Sequence, residues 1–242
     1  MIIMKYIDMH NHGHELDEET LLKFKDDYIL VIVSDDLETS HKTIELSRKY
    51  GFIKPCIGIH PWSIGDATID DLERIAEIVD KEDIRCLGEI GLDTRFVAKT
   101  INKQRMFFRK FLELAREYDL LLNLHTAGTW KEVLDLLIRY DIDKAYFHWY
   151  TGPLNLLEEI ADKGYYIGAN PAWKIQAKHR RVLEYAPLDI ILTESDAPYK
   201  YRGLEMSPEL IKDTIEFLAE TKDTSINSTR SSVYRNYLRL YR

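Results

Sequence analysis

The chain is poor in cysteine and proline, has no long apolar run, and carries no surplus of positive charge. Its 242 residues include 2 cysteines and 7 prolines. Cys56 and Cys86 sit inside apolar, strand-like runs, and no Cys-x-x-Cys pair accompanies them. This argues against a disulfide scaffold or a thiolate metal site and reads the pair as small buried hydrophobes. No stretch approaches the roughly 18 consecutive apolar residues of a membrane span, so no membrane contact is expected. The opening Met-Ile-Ile-Met-Lys-Tyr-Ile-Asp lacks a basic n-region and a small-residue cleavage site. It reads as a first strand, and a cytoplasmic location is expected. Basic side chains number 33 against 41 acidic ones, a net charge of -8. That weighs against a broad basic face gripping duplex nucleic acid. A site focused by metal ions stays open, since two divalent cations would bring about four positive charges to one spot.

What is present is an alternation. Apolar residues make up 45% of the chain and charged residues 31%, enough for a sizeable core in one domain spanning 1–242. Short β-branched runs at 5–10, 28–34, 53–60, 84–89, 120–125, 144–148, 165–170 and 190–194 read as strands. Longer stretches of helical period separate them. The clearest runs from Lys103 to Tyr118, where Met106, Phe107, Phe111, Leu114 and Ala115 fall largely on one face, interrupted by Lys110. Thr68 to Lys81, Thr129 to Tyr140 and Leu154 to Lys163 behave alike, Pro208 opens a helix reaching Thr221, and a last helix runs from about Ser228 to Tyr241. Eight strands alternating with helices predict an α/β fold, a single (β/α)8 TIM-type barrel.

The polar residues within these runs fall in one register. His10, Ser34, His60, Glu89, His125, His148, Asn170 and Asp196 all lie at or just past the C-terminal ends of their strands, the rim where such barrels build active sites. His10 and His12, two apart on a strand, point the same way. Four imidazoles (His10, His12, His125, His148) and two carboxylates (Glu89, Asp196), with no thiolate, favour Zn, Mn or Mg. That is more than one catalytic ion takes, and it suits two ions sharing a carboxylate.

These residues stand in Asp8-Met-His-Asn-His12, Gly58-Ile-His-Pro-Trp62, Gly88-Glu-Ile-Gly-Leu-Asp93, Leu124-His-Thr126, His148-Trp-Tyr-Thr-Gly152 and Thr193-Glu-Ser-Asp-Ala-Pro-Tyr199. In order and spacing the set resembles the TatD family of metal-dependent deoxyribonucleases, among the amidohydrolase-like barrels. The resemblance implies that His10, His12 and Asp196 bind one metal ion, His125 and His148 a second, and Glu89 bridges them. It implies phosphodiester hydrolysis in DNA, commonly as a 3′-to-5′ exonuclease, with Asp196 and Glu89 catalytic and Asp196 suited to take the attacking water's proton. His60 is carried over as a substrate contact. Glu194 and Asp93 are expected to support the ligands or the loops. His14 is expected at the rim, and His41 and His179 on helix surfaces.

Two departures bear on substrate. The arginine usual in the family two positions after the fifth-strand histidine is Ala127 here, and Arg95, Lys174 or Arg202 are the nearby cations that could replace it. Trp149 and Tyr150 replace the family's usual small residue and phenylalanine. Trp62, Trp149, Tyr150, Trp173, Tyr199 and Tyr201 are expected near the rim, where aromatic faces can stack bases. DNA or another phosphodiester is the expected partner, and a monomer is favoured. A same-fold hydrolase of a small amide, lactone or phosphodiester is the first alternative. A barrel without catalysis that serves as a binding subunit is the second.

Overall fold

A computed structural model describes residues 4–241. Strands and helices alternate from β1 (Tyr6–Asn11), through α1 (Glu18–Leu22), β2 (Tyr28–Val33), α2 (Leu37–Lys49) and β3 (Ile53–Cys56), to α3 (Ile69–Lys81) and β4 (Cys86–Gly91). The series continues with α4 (Ile101–Tyr118), β5 (Leu121–His125), α5 (Trp130–Arg139), β6 (Ala145–Phe147), α6 (Leu156–Asp162), β7 (Tyr166–Ala169), α7 (Ala177–Tyr185) and β8 (Ile191–Thr193). A small hairpin, β9 (Lys200–Tyr201) and β10 (Leu204–Glu205), precedes α8 (Ile211–Thr221) and α9 (Ile226–Leu240). Strands β1 to β8 run parallel in chain order, β1–β3 in one sheet and β4–β8 in another. Two seams join the sheets. At the first, Ile57 bridges to Leu87, and the Ile57 amide donates to Cys86 O at 3.1 Å. At the second, the Asp196 amide donates to His10 O at 2.9 Å and the His12 amide to Ala197 O at 2.7 Å. The arrangement is the expected α/β barrel, with all strand C-termini at one end.

Local chemistry explains most boundaries. Asp36 and Thr68 cap α2 and α3 through capping boxes with Thr39 and Asp71. The third strand stops at Cys56, short of the expected position 60, so His60 stands on the loop beyond it. Pro55, which has no amide hydrogen to give to the ladder, lies within that short strand. The hairpin after β8 was not anticipated. The buried face of α4 is Gln104, Phe107, Phe108, Phe111, Leu112 and Ala115. Met106 is exposed and Leu114 only half-buried, so the true stripe is rotated from the predicted one. Burying each phenylalanine there contributes about 2 kcal/mol.

Two expectations are corrected. Cys56 and Cys86 form a disulfide, with Cα atoms 4.5 Å apart. The first seam brings the ends of β3 and β4 together at a distance a disulfide spans, an adjacency that the 30-residue separation conceals. His179 is not a surface residue. It is fully buried, its Nε2 accepting from the Asn170 amide and its Nδ1 donating to Tyr150 O, both at 3.0 Å. His41 is exposed on α2, as expected.

Burial pushes the His179 imidazole down to about 4 from an ordinary 6.5. The unfolded chain therefore binds the proton that the folded one refuses between those values. The stability His179 confers is complete above pH 6.5 and is lost as pH falls toward 4, on the order of 3 kcal/mol in all. Urea denaturation of wild type and His179→Gln across pH 4–7.5 should show the wild-type advantage growing with pH. A constant difference would mean that the folded ring titrates normally.

Candidate metal centre

Five strand ends and the turns after them place the six predicted ligands around one point at the barrel mouth. Period-two geometry puts His10 and His12 on the same face of β1. Glu89 lies on β4, His125 ends β5, His148 follows β6, and Asp196 lies in the turn after β8. The two oxygens of Glu89 face different partners. Oε2 is 3.3 Å from His10 Nε2 and 3.5 Å from His12 Nε2. Oε1 is 2.7 Å from His125 Nδ1 and 3.4 Å from His60 Nε2. Asp196 Oδ1 lies 3.5 Å from His10 Nε2, 3.6 Å from His12 Nε2 and 4.0 Å from His148 Nε2. The structure thus brings all six together. It also stacks His148 on His10, ring centroids 3.6 Å apart, in a group with Asp196, and places His60 with Glu89 and His125.

Beneath these side chains lies a second tier, built from residues two positions earlier on the same strands. Asn123 takes His10 Nδ1 on its Oδ1 at 2.8 Å and donates from Nδ2 to Met9 O at 2.8 Å. Because the Met9 carbonyl fixes the amide, His10 Nδ1 must carry a hydrogen, and Nε2 is the nitrogen turned to the centre. Glu194 lies 3.1 Å from His148 Nδ1, accepts the Trp149 amide at 3.0 Å, and accepts the Tyr146 hydroxyl. A methyl group at Gly168 would stand 2.1 Å from Glu194 Oε2, so only glycine leaves room for that carboxylate. Asp8 accepts from the Ser195 amide at 2.8 Å and hydroxyl at 2.6 Å, fixing the turn that carries Asp196. Of this tier only Glu194 was predicted. Asp8, Asn123 and Tyr146 share its signal, a polar residue two before a ligand on a barrel strand.

Asp93 serves both expected purposes. It lies 3.0 Å from His125 Nε2 and accepts from Trp62 Nε1 at 2.7 Å and from the Arg95 and Phe96 amides. Burial would raise its pKa, but these donors hold it well below the usual carboxylate range. Burial also lowers the pKa of His60. The Trp62 amide donates to His60 Nδ1 at 3.1 Å, so a neutral ring carries its hydrogen on Nε2, aimed at the centre. His60 is therefore set up as a donor and not as a ligand.

Burial opposes charge on His10 and His12, yet the neighbouring carboxylates hold His10 well above the ordinary range and raise His12 to about 10. Burial would likewise raise Glu89 and Asp196, and the surrounding imidazoles hold both well below. His10 Nε2 is buried without a well-formed hydrogen bond and faces two carboxylates. Two buried carboxylates at the same imidazole nitrogens need positive charge between them, from protons or from a cation. The all-nitrogen and oxygen donor set fits a hard or borderline divalent ion.

A family model described as TatD related DNase matches residues 7–242. The chain belongs to this family. With it comes membership of the metal-dependent hydrolases. The TatD homologue YjjV of Escherichia coli K12 superposes with a TM-score of 0.90 at 23% identity, covering 99% of both chains. A metal-dependent hydrolase of unassigned activity from Methanocaldococcus jannaschii is 27% identical over 99% of this chain and 98% of its own length. Human deoxyribonuclease TATDN3 is 26% identical over 88% of this chain and 83% of its own.

Above the centre of this TatD-family barrel opens a cleft of about 780 Å³. Trp62 and Phe96, ring centroids 5.7 Å apart, belong to one part of its lining, and Trp149, Tyr199 and Tyr201 to another. Two expected rim aromatics lie elsewhere: Tyr150 is fully buried, and Trp173 stacks on Phe217. Ala127 lines the cleft, as do Arg95 and Arg202, whereas Lys174 pairs with Asp213 away from it. Arg95 lies over the Trp130 ring at 5.0 Å and Arg202 over Tyr201 at 5.2 Å. Among the described residues no helix is long and apolar enough to cross a membrane.

Tyr146→Phe should destabilise the fold by about 1–3 kcal/mol, because it leaves the buried Glu194 carboxylate short of a donor. Denaturant titration measures this directly, and an unchanged midpoint would show that the hydroxyl is dispensable.

Proposed function

We propose that the protein hydrolyses phosphodiester bonds in DNA, as a 3′-to-5′ exonuclease on single strands, with two divalent ions (Zn, Mn or Mg) at the barrel mouth. The observation that carries this reading is Glu89. It is buried and ionised, with one oxygen toward His10 and His12 and the other toward His125, as a bridging carboxylate would be. His10, His12, Glu89, His125, His148 and Asp196 would hold the ions. Two such ions acidify a water and offset charge on the phosphate oxygens.

The chain's own groups supply the rest. Asp196, an ionised carboxylate pinned by its amide to His10 O, accepts the attacking water's proton. His60 donates from Nε2 to the phosphate. Asn123, Asp93 and Glu194 keep the ligand rings oriented. Arg95 and Arg202 take flanking phosphates, standing in for the arginine that Ala127 lacks. The cleft aromatics stack bases at ~1–3 kcal/mol each, which suits unpaired nucleotides over a duplex.

Purified protein with Mn should shorten 3′-labelled single-stranded DNA, and EDTA should abolish the reaction. Glu89→Ala should lose bound metal and at least about 100-fold in rate. His60→Ala should keep its metal while kcat falls about 100-fold. No cleavage despite two bound ions would redirect the assignment to a small-molecule hydrolase shaped around Ala127 and Trp149.

In a separate comparison, Arg95→Ala and Arg202→Ala should each raise KM for oligonucleotides about 10-fold. They should leave the hydrolysis of bis(p-nitrophenyl) phosphate, which has no flanking phosphate, within about twofold. Equal losses on both substrates would remove the arginines from a flanking-phosphate role.

A further inference from the structure

One cluster beside the centre has no role in the reading above. His14, expected merely at the rim, is buried beneath it. Its Nδ1 lies 3.0 Å from Val33 O, and its Nε2 lies 3.1 Å from Asp35 Oδ2. Asp35 Oδ1 in turn lies 3.2 Å from His12 Nδ1. Glu15, exposed at the cleft, completes with His12, His14 and Asp35 a group in which one nitrogen or oxygen atom of each residue lies within 4.8 Å of the others. Gly13 makes the placement possible, since a methyl there would stand 2.7 Å from Ile32 Cδ1.

We propose that His14, Glu15 and Asp35 form a further divalent-cation site, separate from the two at Glu89. The convergence of their donor atoms carries the inference. A backbone carbonyl only accepts, so His14 Nδ1 bears a ring hydrogen, which leaves Nε2 as the nitrogen turned toward the Asp35 carboxylate. One imidazole nitrogen and two carboxylates thus converge in a half-buried place. A dication satisfies all three groups at once, and one nitrogen with two carboxylates is a donor set for Zn, Mn or Fe(II). His12 is not needed as a ligand there. Its Nδ1 faces Asp35 Oδ1, so the same carboxylate that would hold the cation also backs a ligand of the main centre.

Glu15 and Asp35 line the cleft, so the open coordination positions of such an ion face the substrate's path. There it would take an oxygen of an anionic group next to the one being cut, a role that rests on the phosphodiesterase reading. The cation site itself does not.

The test is zinc-edge anomalous diffraction from crystals of the full chain equilibrated with zinc chloride, alongside metal analysis of the dialysed protein in solution. Wild type should show a peak between His14, Glu15 and Asp35 in addition to those at Glu89, and about three equivalents of zinc. His14→Leu should lose that peak alone and fall to about two equivalents. Glu15→Gln, an exposed change that spares the fold, should weaken the third equivalent at least about 10-fold. Density at Glu89 with none at His14, and stoichiometry unmoved by either variant, would overturn the inference and leave His14 and Asp35 as a simple ion pair. A peak at His14 with an empty Glu89 would uphold it and overturn the two-ion centre instead.

Discussion

An ionised carboxylate held almost out of contact with water is the constraint around which this barrel is organised. Glu89 is about 1% exposed, and burying an unpaired carboxylate costs several kcal/mol even after relaxation. The cost is met by imidazoles arriving from β1, from the loop after β3 and from β5. Each of them must itself be held in one orientation, and that need propagates downward. His10 requires Asn123, Asn123 requires Met9 O, His148 requires Glu194, and Glu194 requires both Tyr146 and the bare α-carbon of Gly168. The interior is therefore polar near its top and apolar below, where Leu30, Leu121 and Leu192 take over.

Much of this was legible in the chain. The eight strands were located to within a few residues because apolar runs of four to eight, separated by amphipathic stretches, have few other solutions. The convergence of the candidate ligands was legible because period-two geometry and the C-terminal rim reduce the search to one position per strand. His10, Glu89, His125, His148 and Asp196 satisfy it, and all converge. What failed was information that exists only across strands. The Cys56–Cys86 pairing depends on which strand neighbours which. His179 looked like a surface helix residue because its partners, Tyr150 O and the Asn170 amide, are backbone atoms of loops with no signature. His14 looked like a rim residue because the turn at Gly13 that folds it inward follows a strand whose period had ended.

The division between floor and walls also matters for chemistry. Metal-capable side chains come from strands and the residues immediately after them, whose positions the ladder dictates. The cleft walls come from loops: Trp62 after β3, Arg95 and Phe96 after β4, Ala127 after β5, Trp149 after β6, and Tyr199 to Arg202 after β8. A scaffold of this type sets what kind of bond is attacked through the floor, and which molecule presents that bond through the walls. The exchange of an arginine for Ala127, with Arg95 and Arg202 at the same cleft, is a wall-level change above an intact floor.

The two seams give the barrel a mechanical character. It is assembled as two shells, one of three strands and one of five, and no shell holds a complete centre. His10, His12 and His60 belong to the first shell, and Glu89, His125, His148 and Asp196 to the second. Alignment of the halves is therefore a functional tolerance, since a slip of half an ångström at either joint moves every imidazole–carboxylate pair that spans it. The disulfide crosses the first of these joints, three residues below Glu89. It works there as a dowel, a covalent pin beside the backbone hydrogen bonds of Ile57, Gly88 and Ser34 that set the same register.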